Sequence, residues 1–155
     1  MDLLGRLRRN SDSTHLVQAF RWKEKILLPT VARTEAGFYL DREPVAVVNA
    51  SDKISLIEAI TDRLKARVET VPTPNRGDWP KWVVLQHAKV RSVNAFEKEA
   101  RFWRIEKRGS HWIVEQWKHH EEGKGFVPGH ETELTDAMSI QDVATRFAAV
   151  LQSPA

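Results

Sequence analysis

The segment from Phe102 to Lys118 constrains the fold more than any other. Two arms rich in aromatic and β-branched residues flank Lys107-Arg108-Gly109-Ser110, where Gly109 can supply a positive φ, so the segment reads as a β-hairpin. Side chains alternate along a strand. Trp103 and Ile105 therefore share one face of the first arm. On the second arm Trp112 and Val114 share a face, and Ile113 and Trp117 take the other.

Helical periodicity is clearest over residues 55–68, where Leu56, Ile57, Ile60, Leu64 and Val68 recur at three- and four-residue steps. Ser55 with Glu58 matches a capping box, and Ser51 or Asp52 offers a cap one turn earlier. A last helix is expected over about 139–151, with Val143, Ala144, Phe147 and Leu151 as its buried stripe and Ser139 with Asp142 at its start. Leu16, Val17 and Phe20 follow cap-forming residues at helical spacing, so residues 14–22 are also expected to be helical.

The remaining strands are shorter. Lys25 to Leu28 reads as an edge strand halted by Pro29. Phe38–Leu40 and Val45–Val48 read as separate strands, the second covered on both faces because it lacks polar alternation. Trp82–Leu85 reads as another strand. The proline- and glycine-marked stretches 71–80 and 119–130 read as loops. Helix, strands, helix, strands, helix is the order of an α+β fold: a mainly antiparallel sheet with two or three helices packed on it. Residues 13–152 form one such domain, preceded by a flexible basic arm, residues 1–12, with Arg6, Arg8 and Arg9.

At 155 residues, 41% hydrophobic and 29% charged, the chain is long and apolar enough to bury a core without staples. It has no cysteine, which excludes disulfides, zinc–thiolate sites and cysteine nucleophiles. No apolar run approaches the roughly 18 residues that cross a membrane, and the arginines near the start are not followed by a signal-like run, so the expected compartment is the cytoplasm. The net charge is +3, with basic residues dispersed among acidic ones rather than clustered.

Catalytic patterns are sparse. The chain has no phosphate loop, nucleophile elbow or His-Glu-x-x-His motif. His119-His120-Glu121-Glu122, with His130 downstream, is the nearest approach to a metal site. Neighbours on a strand point to opposite faces, and a solvated polar loop is the simpler reading. Glu106 and Glu115 fit solvent-facing hairpin positions. Of six tryptophans, Trp103 and Trp112 fit a core; Trp79 and Trp117 fit either a core or an exposed anchor. Arg101, Phe102, Trp103, Arg104 and Lys107 are the nearest approach to a base-stacking platform, which keeps a nucleic-acid-binding alternative open.

One segment is distinctive: Leu28-Pro29-Thr30-Val31-Ala32-Arg33-Thr34-Glu35-Ala36-Gly37-Phe38-Tyr39-Leu40-Asp41-Arg42-Glu43-Pro44-Val45, followed by the capped helix of residues 51–68. It resembles the immunity proteins of bacterial contact-dependent growth inhibition systems, closely over residues 25–68 and loosely over the hairpin and last helix. The resemblance implies a small cytoplasmic α+β protein without enzymatic activity or cofactor. Such a protein binds a cognate toxin domain, often a nuclease, one to one. The chain departs from the expected pattern in being net basic. Its contact face would be locally acidic through Glu35, Asp41, Glu43, Glu121 or Glu122, or would lie away from the toxin's active site. The segment from Arg104 to Glu122 is the expected contact region, with Arg104, Glu106, Glu115, Trp117, His119, Glu121 and Glu122 as partner-binding residues and no metal ligand. The other classes are a small nucleic-acid binder and an enzyme that no motif marks.

Overall fold

The computed structural model describes residues 14–120, 125–134 and 139–154. Seven strands and four helices follow in chain order among them: β1 (Leu16–Trp22), β2 (Lys25–Thr34), β3 (Tyr39–Asn49), α1 (Lys53–Lys65), β4 (Glu69–Val71), α2 (Val83–Ala88), α3 (Val93–Glu99), β5 (Arg101–Arg108), β6 (His111–His119), β7 (Phe126–Leu134) and α4 (Ile140–Gln152). The sheet runs β3-β2-β1-β5-β6-β7, all antiparallel, and β4 adds to β2 in parallel. This is a single-domain α+β fold. The expected arm, residues 1–12, lies outside the described residues.

The hairpin forms as read, with Arg108 opposite His111 and Gly109 at φ +62°. Two three-stranded meanders, β3-β2-β1 and β5-β6-β7, meet along one seam, where Ala19 lies opposite Trp103 and Phe20 opposite Phe102.

Each sheet face has its own core. On the first, Val17, Ala19, Ile26, Leu28, Trp103, Ile105, Trp112 and Val114 pack under α1 and α4 through Leu56, Ile60, Leu64, Val143, Phe147 and Leu151. On the second, Phe20, Trp22, Phe102, Trp117 and Phe126 pack under α2 and α3 through Val83, Val84, Ala88 and Phe96. Phe20 and Phe102 stack at 4.6 Å across the seam, and Phe96 stacks on Trp22 at 5.2 Å.

The caps follow local chemistry. Asp52, not Ser55, caps α1, its carboxylate accepting from the Ser55 N–H at 3.1 Å. Ser139 caps α4 by accepting from the Asp142 N–H at 3.1 Å. Arg21 and Arg101, opposite each other on the seam, donate to the Leu151 and Ser153 carbonyls at the other end of α4.

Five expectations are overturned. Residues 16–22 are a strand rather than a helix: β1 is central and buried on both faces, which erases the polar alternation of a half-exposed strand. β2 passes through Pro29 instead of stopping there. It pairs with β1 from Leu27 back to Lys25, and its register with β3 shifts between Leu28 and Thr30, so the missing N–H falls where pairing lapses. Arg63 of α1 and Thr30 donate to the carbonyls left there, Leu28 and Pro44. The two pieces expected around Pro44 are one continuous edge strand, β3, on which Val47 is exposed rather than covered. Val83–Ala88 is helical, since a short apolar run that follows a proline-marked loop fits a buried helix as well as a strand. Residues 126–134 are the edge strand β7, not a loop. The helices therefore cover both faces.

Candidate partner-binding face

Beyond the aromatic layer, the second face of the sheet turns polar. Directly paired residues share a face, and the registers align Gln18, Arg104, Glu115 and Glu131 across β1, β5, β6 and β7. The Arg104 guanidinium lies between the rings of Tyr39 and Trp117, 5.1 and 5.0 Å from their centroids. Its Nη2 donates to Gln18 Oε1 at 2.9 Å. Gln18 Nε2 donates to Asp41 Oδ1 at 2.6 Å, and Trp82 Nε1 donates to Asp41 Oδ2 at 2.8 Å. Four elements thus hold one chain of polar contacts: β5, β1, β3 and the start of α2.

The electrostatics follow from burial. Desolvation pulls the Arg104 guanidinium below its ordinary value, opposed by the charges of Glu106, Tyr39, Glu115 and Asp41. Arg108 bridges Glu106 at 2.6 Å and Glu131 at 3.1 Å. Desolvation works against its charge, but the hydrogen bonds and charges of Glu131 and Glu106 prevail and raise its pKa. A buried cation among carboxylates fixes geometry, since separating any member leaves an uncompensated charge. The arrangement orders a buried polar layer.

Four residues expected at a contact surface are brought together here, but under cover. Arg104 is 5% exposed, Glu106 and Glu115 4%, and Trp117 3%, which corrects the solvent-facing reading of Glu106 and Glu115. Strand parity is the reason: they share a face with Phe102 and the row that begins at Gln18. His119 is placed apart. Its Nε2 lies 2.8 Å from the Ala100 carbonyl, which can only accept, so Nε2 carries the proton, and its ring tilts against Phe126. Glu121 and Glu122 lie outside the described residues. Of the two candidate anchors, Trp117 is buried, whereas Trp79 is 42% exposed and edge-on to Phe38. Phe102, Trp103 and Arg104 are all buried, so they form no open stacking platform.

Sequence reading missed Gln18, Tyr39, Asp41, Trp82, Arg108 and Glu131 as parts of this cluster. The parity of Arg104 with Glu106 on one arm and of Glu115 with Trp117 on the other marks the hairpin half. Nothing local marks Gln18, which reaches Arg104 through pairing over a long sequence separation, or Asp41, whose partners Gln18 and Trp82 lie on other elements. At the far end of β6, Arg101, Trp117, Lys118, His119, Phe126 and His130 line an open groove of about 500 Å³. Among the described residues, no group of three or more His, Asp or Glu is placed to hold a metal ion, and no helix is long and apolar enough to cross a membrane.

Two solved structures share this fold. One is a protein of unknown function, NMB0488, from Neisseria meningitidis, with a TM-score of 0.64 and 12% identity over 92% of this chain and 95% of that one. The other is a chain of the CdiA-CT/CdiI toxin and immunity complex from Yersinia pseudotuberculosis, with a TM-score of 0.59 and 14% identity over 91% of this chain and 98% of that one. No protein-family model matches the chain, and no curated protein does. At these identities the likeness is one of fold.

Proposed function

We propose that this chain is an immunity protein that binds a cognate toxin domain one to one and neutralises it by sequestration in the cytoplasm of the producing cell. The observation that carries the reading is the fold shared with a chain of the toxin and immunity complex, which extends over 91% of this chain and 98% of that one. Likeness over nearly two whole chains supports a common architecture rather than a borrowed motif. The buried ion network supports it further, because a rigid scaffold lowers the entropy lost on binding. Occlusion needs shape, a few anchors and complementary charge, not catalysis. The resemblance of residues 25–68 to immunity proteins implies a toxin partner that is often a nuclease.

The test is to co-express the chain with the toxin domain that this reading expects to be encoded beside its gene. A one-to-one complex on size exclusion, together with growth restored to cells making the toxin, is the expected result. Growth arrest unchanged by the chain, with the two proteins eluting separately, overturns the reading.

A further inference from the structure

The outer surface of the helical layer on the second face is unusually basic. α2 and α3 bury Val83, Val84, Ala88 and Phe96 against the aromatic core, and their other side meets solvent. Between Trp79 and Ala100 the exposed charges are Lys81, Lys89, Arg91 and Lys98, against Glu99 alone, since Glu97 is buried. The ion pairs of Arg42, His87, Arg108 and His111 involve none of these four cations. Lys89 also holds a left-handed backbone, φ +59°, where it closes α2 by donating its N–H towards the Leu85 and Gln86 carbonyls. Glycine takes that conformation with less strain, yet a cation stands there.

Apolar side chains accompany the charge. Val93, the first residue of α3, is 36% exposed, and Trp79, ahead of α2, is 42% exposed. α2 is short, about 9 Å at 1.5 Å per residue, so cations on either side of it fall within the footprint of one ordinary protein interface.

We infer that this layer is a docking surface for an acidic face of a protein partner, with Trp79 and Val93 as apolar anchors among Lys81, Lys89, Arg91 and Lys98. The inference rests on the reading above, the partner being the cognate toxin domain. Unpaired cations gain from a complementary surface without first breaking pairs of their own. Exposed apolar side chains in the same stretch as exposed charge suit an interface, whose centre is apolar and whose rim is polar. Nucleic acid would also meet the cations, but an exposed valine gains nothing from a phosphodiester backbone, so Val93 favours a protein. A nuclease held this way is gripped away from its phosphate-binding cleft, because that cleft is itself basic.

The experiment titrates the full chain against the toxin domain encoded beside its gene, by calorimetry at physiological salt, with circular dichroism to verify folding. Replacing Lys89→Glu and Arg91→Glu together is expected to weaken binding roughly 100-fold and Val93→Ser roughly tenfold, while Lys53→Glu with Lys65→Glu, exposed on α1 over the other face of the sheet, changes it by less than about threefold. If the wild-type complex forms and the Lys89/Arg91 variant binds as tightly, the docking site is wrong and the sequestration reading stands. If the wild-type chain itself fails to bind, both fall. If a fluorescent oligonucleotide binds the wild type and is released by the same variant, with toxin affinity unchanged, the surface belongs to nucleic acid and the inference is overturned.

Discussion

The two faces of the sheet are built on different principles. The first meets α1 and α4 in an apolar core, with Arg21 and Arg101 at its margin holding the end of α4. The second is divided: an aromatic half lies under α2 and α3, and a polar half is organised around Arg104. Apolar packing is non-directional and tolerates swaps that conserve volume. A buried hydrogen-bonded chain is directional, and each link holds only in one geometry. The first face therefore supplies stability, and the second specifies how β1, β3 and β5 are set against one another.

The largest effect should come from the dry face. Phe147→Ala removes a fully buried ring of α4 and is expected to cost about 3–5 kcal/mol in urea unfolding. A paired experiment then separates the faces. Gln18→Leu keeps approximate volume but leaves Arg104 and Asp41 without their bridge, and should cost about 1–3 kcal/mol. Leu64→Met on the first face should cost less than about 1.5 kcal/mol. Equal costs from Gln18→Leu and Leu64→Met would erase the distinction.

The smallest effect concerns pH. The hydrogen bond from His87, at 2.6 Å, holds the Glu43 carboxyl below its ordinary value of 4.5, helped by the Val45 N–H and opposed by slight desolvation. A depressed carboxylate contributes stability that is present above the unfolded value and lost as pH falls through the folded one. Below about pH 4.5 the tie between α2 and β3 should weaken. Urea midpoints measured between neutral pH and pH 3 should fall less steeply in His87→Ala than in the wild type.

What the sequence made legible follows the same division. The helices α1 and α4 could be read because each has one buried face, so periodicity survives in the residue order; the hairpin, buried on both faces, was marked instead by two β-rich arms around Gly109. β1 could not, because burial on both faces gives Leu16, Val17, Ala19 and Phe20 a spacing that also suits a helix. β7 was hidden by Pro128 and Gly129, which look like loop signals. Gly129 instead serves close approach: a Cβ there would stand 2.3 Å from the Gln116 carbonyl oxygen, beside the register shift between Gln116 and Trp117. In the polar cluster, the hairpin residues could be named from sequence, though not their burial. Gln18 and Asp41 are ordinary polar residues in ordinary strands, and only pairing between distant segments gives them a role.

The single seam between the meanders bears on how the chain folds. Within each meander, strands next to one another in the sheet are also neighbours in sequence, so their pairing needs only short loops to close. Joining β1 to β5 brings together Ala19 and Trp103 across most of the chain's length. Loop-closure entropy makes that the costly step, although the cost grows only slowly with loop length. Changes at Ala19, Phe20, Phe102 or Trp103 should therefore slow refolding. Changes within a single meander should chiefly hasten unfolding.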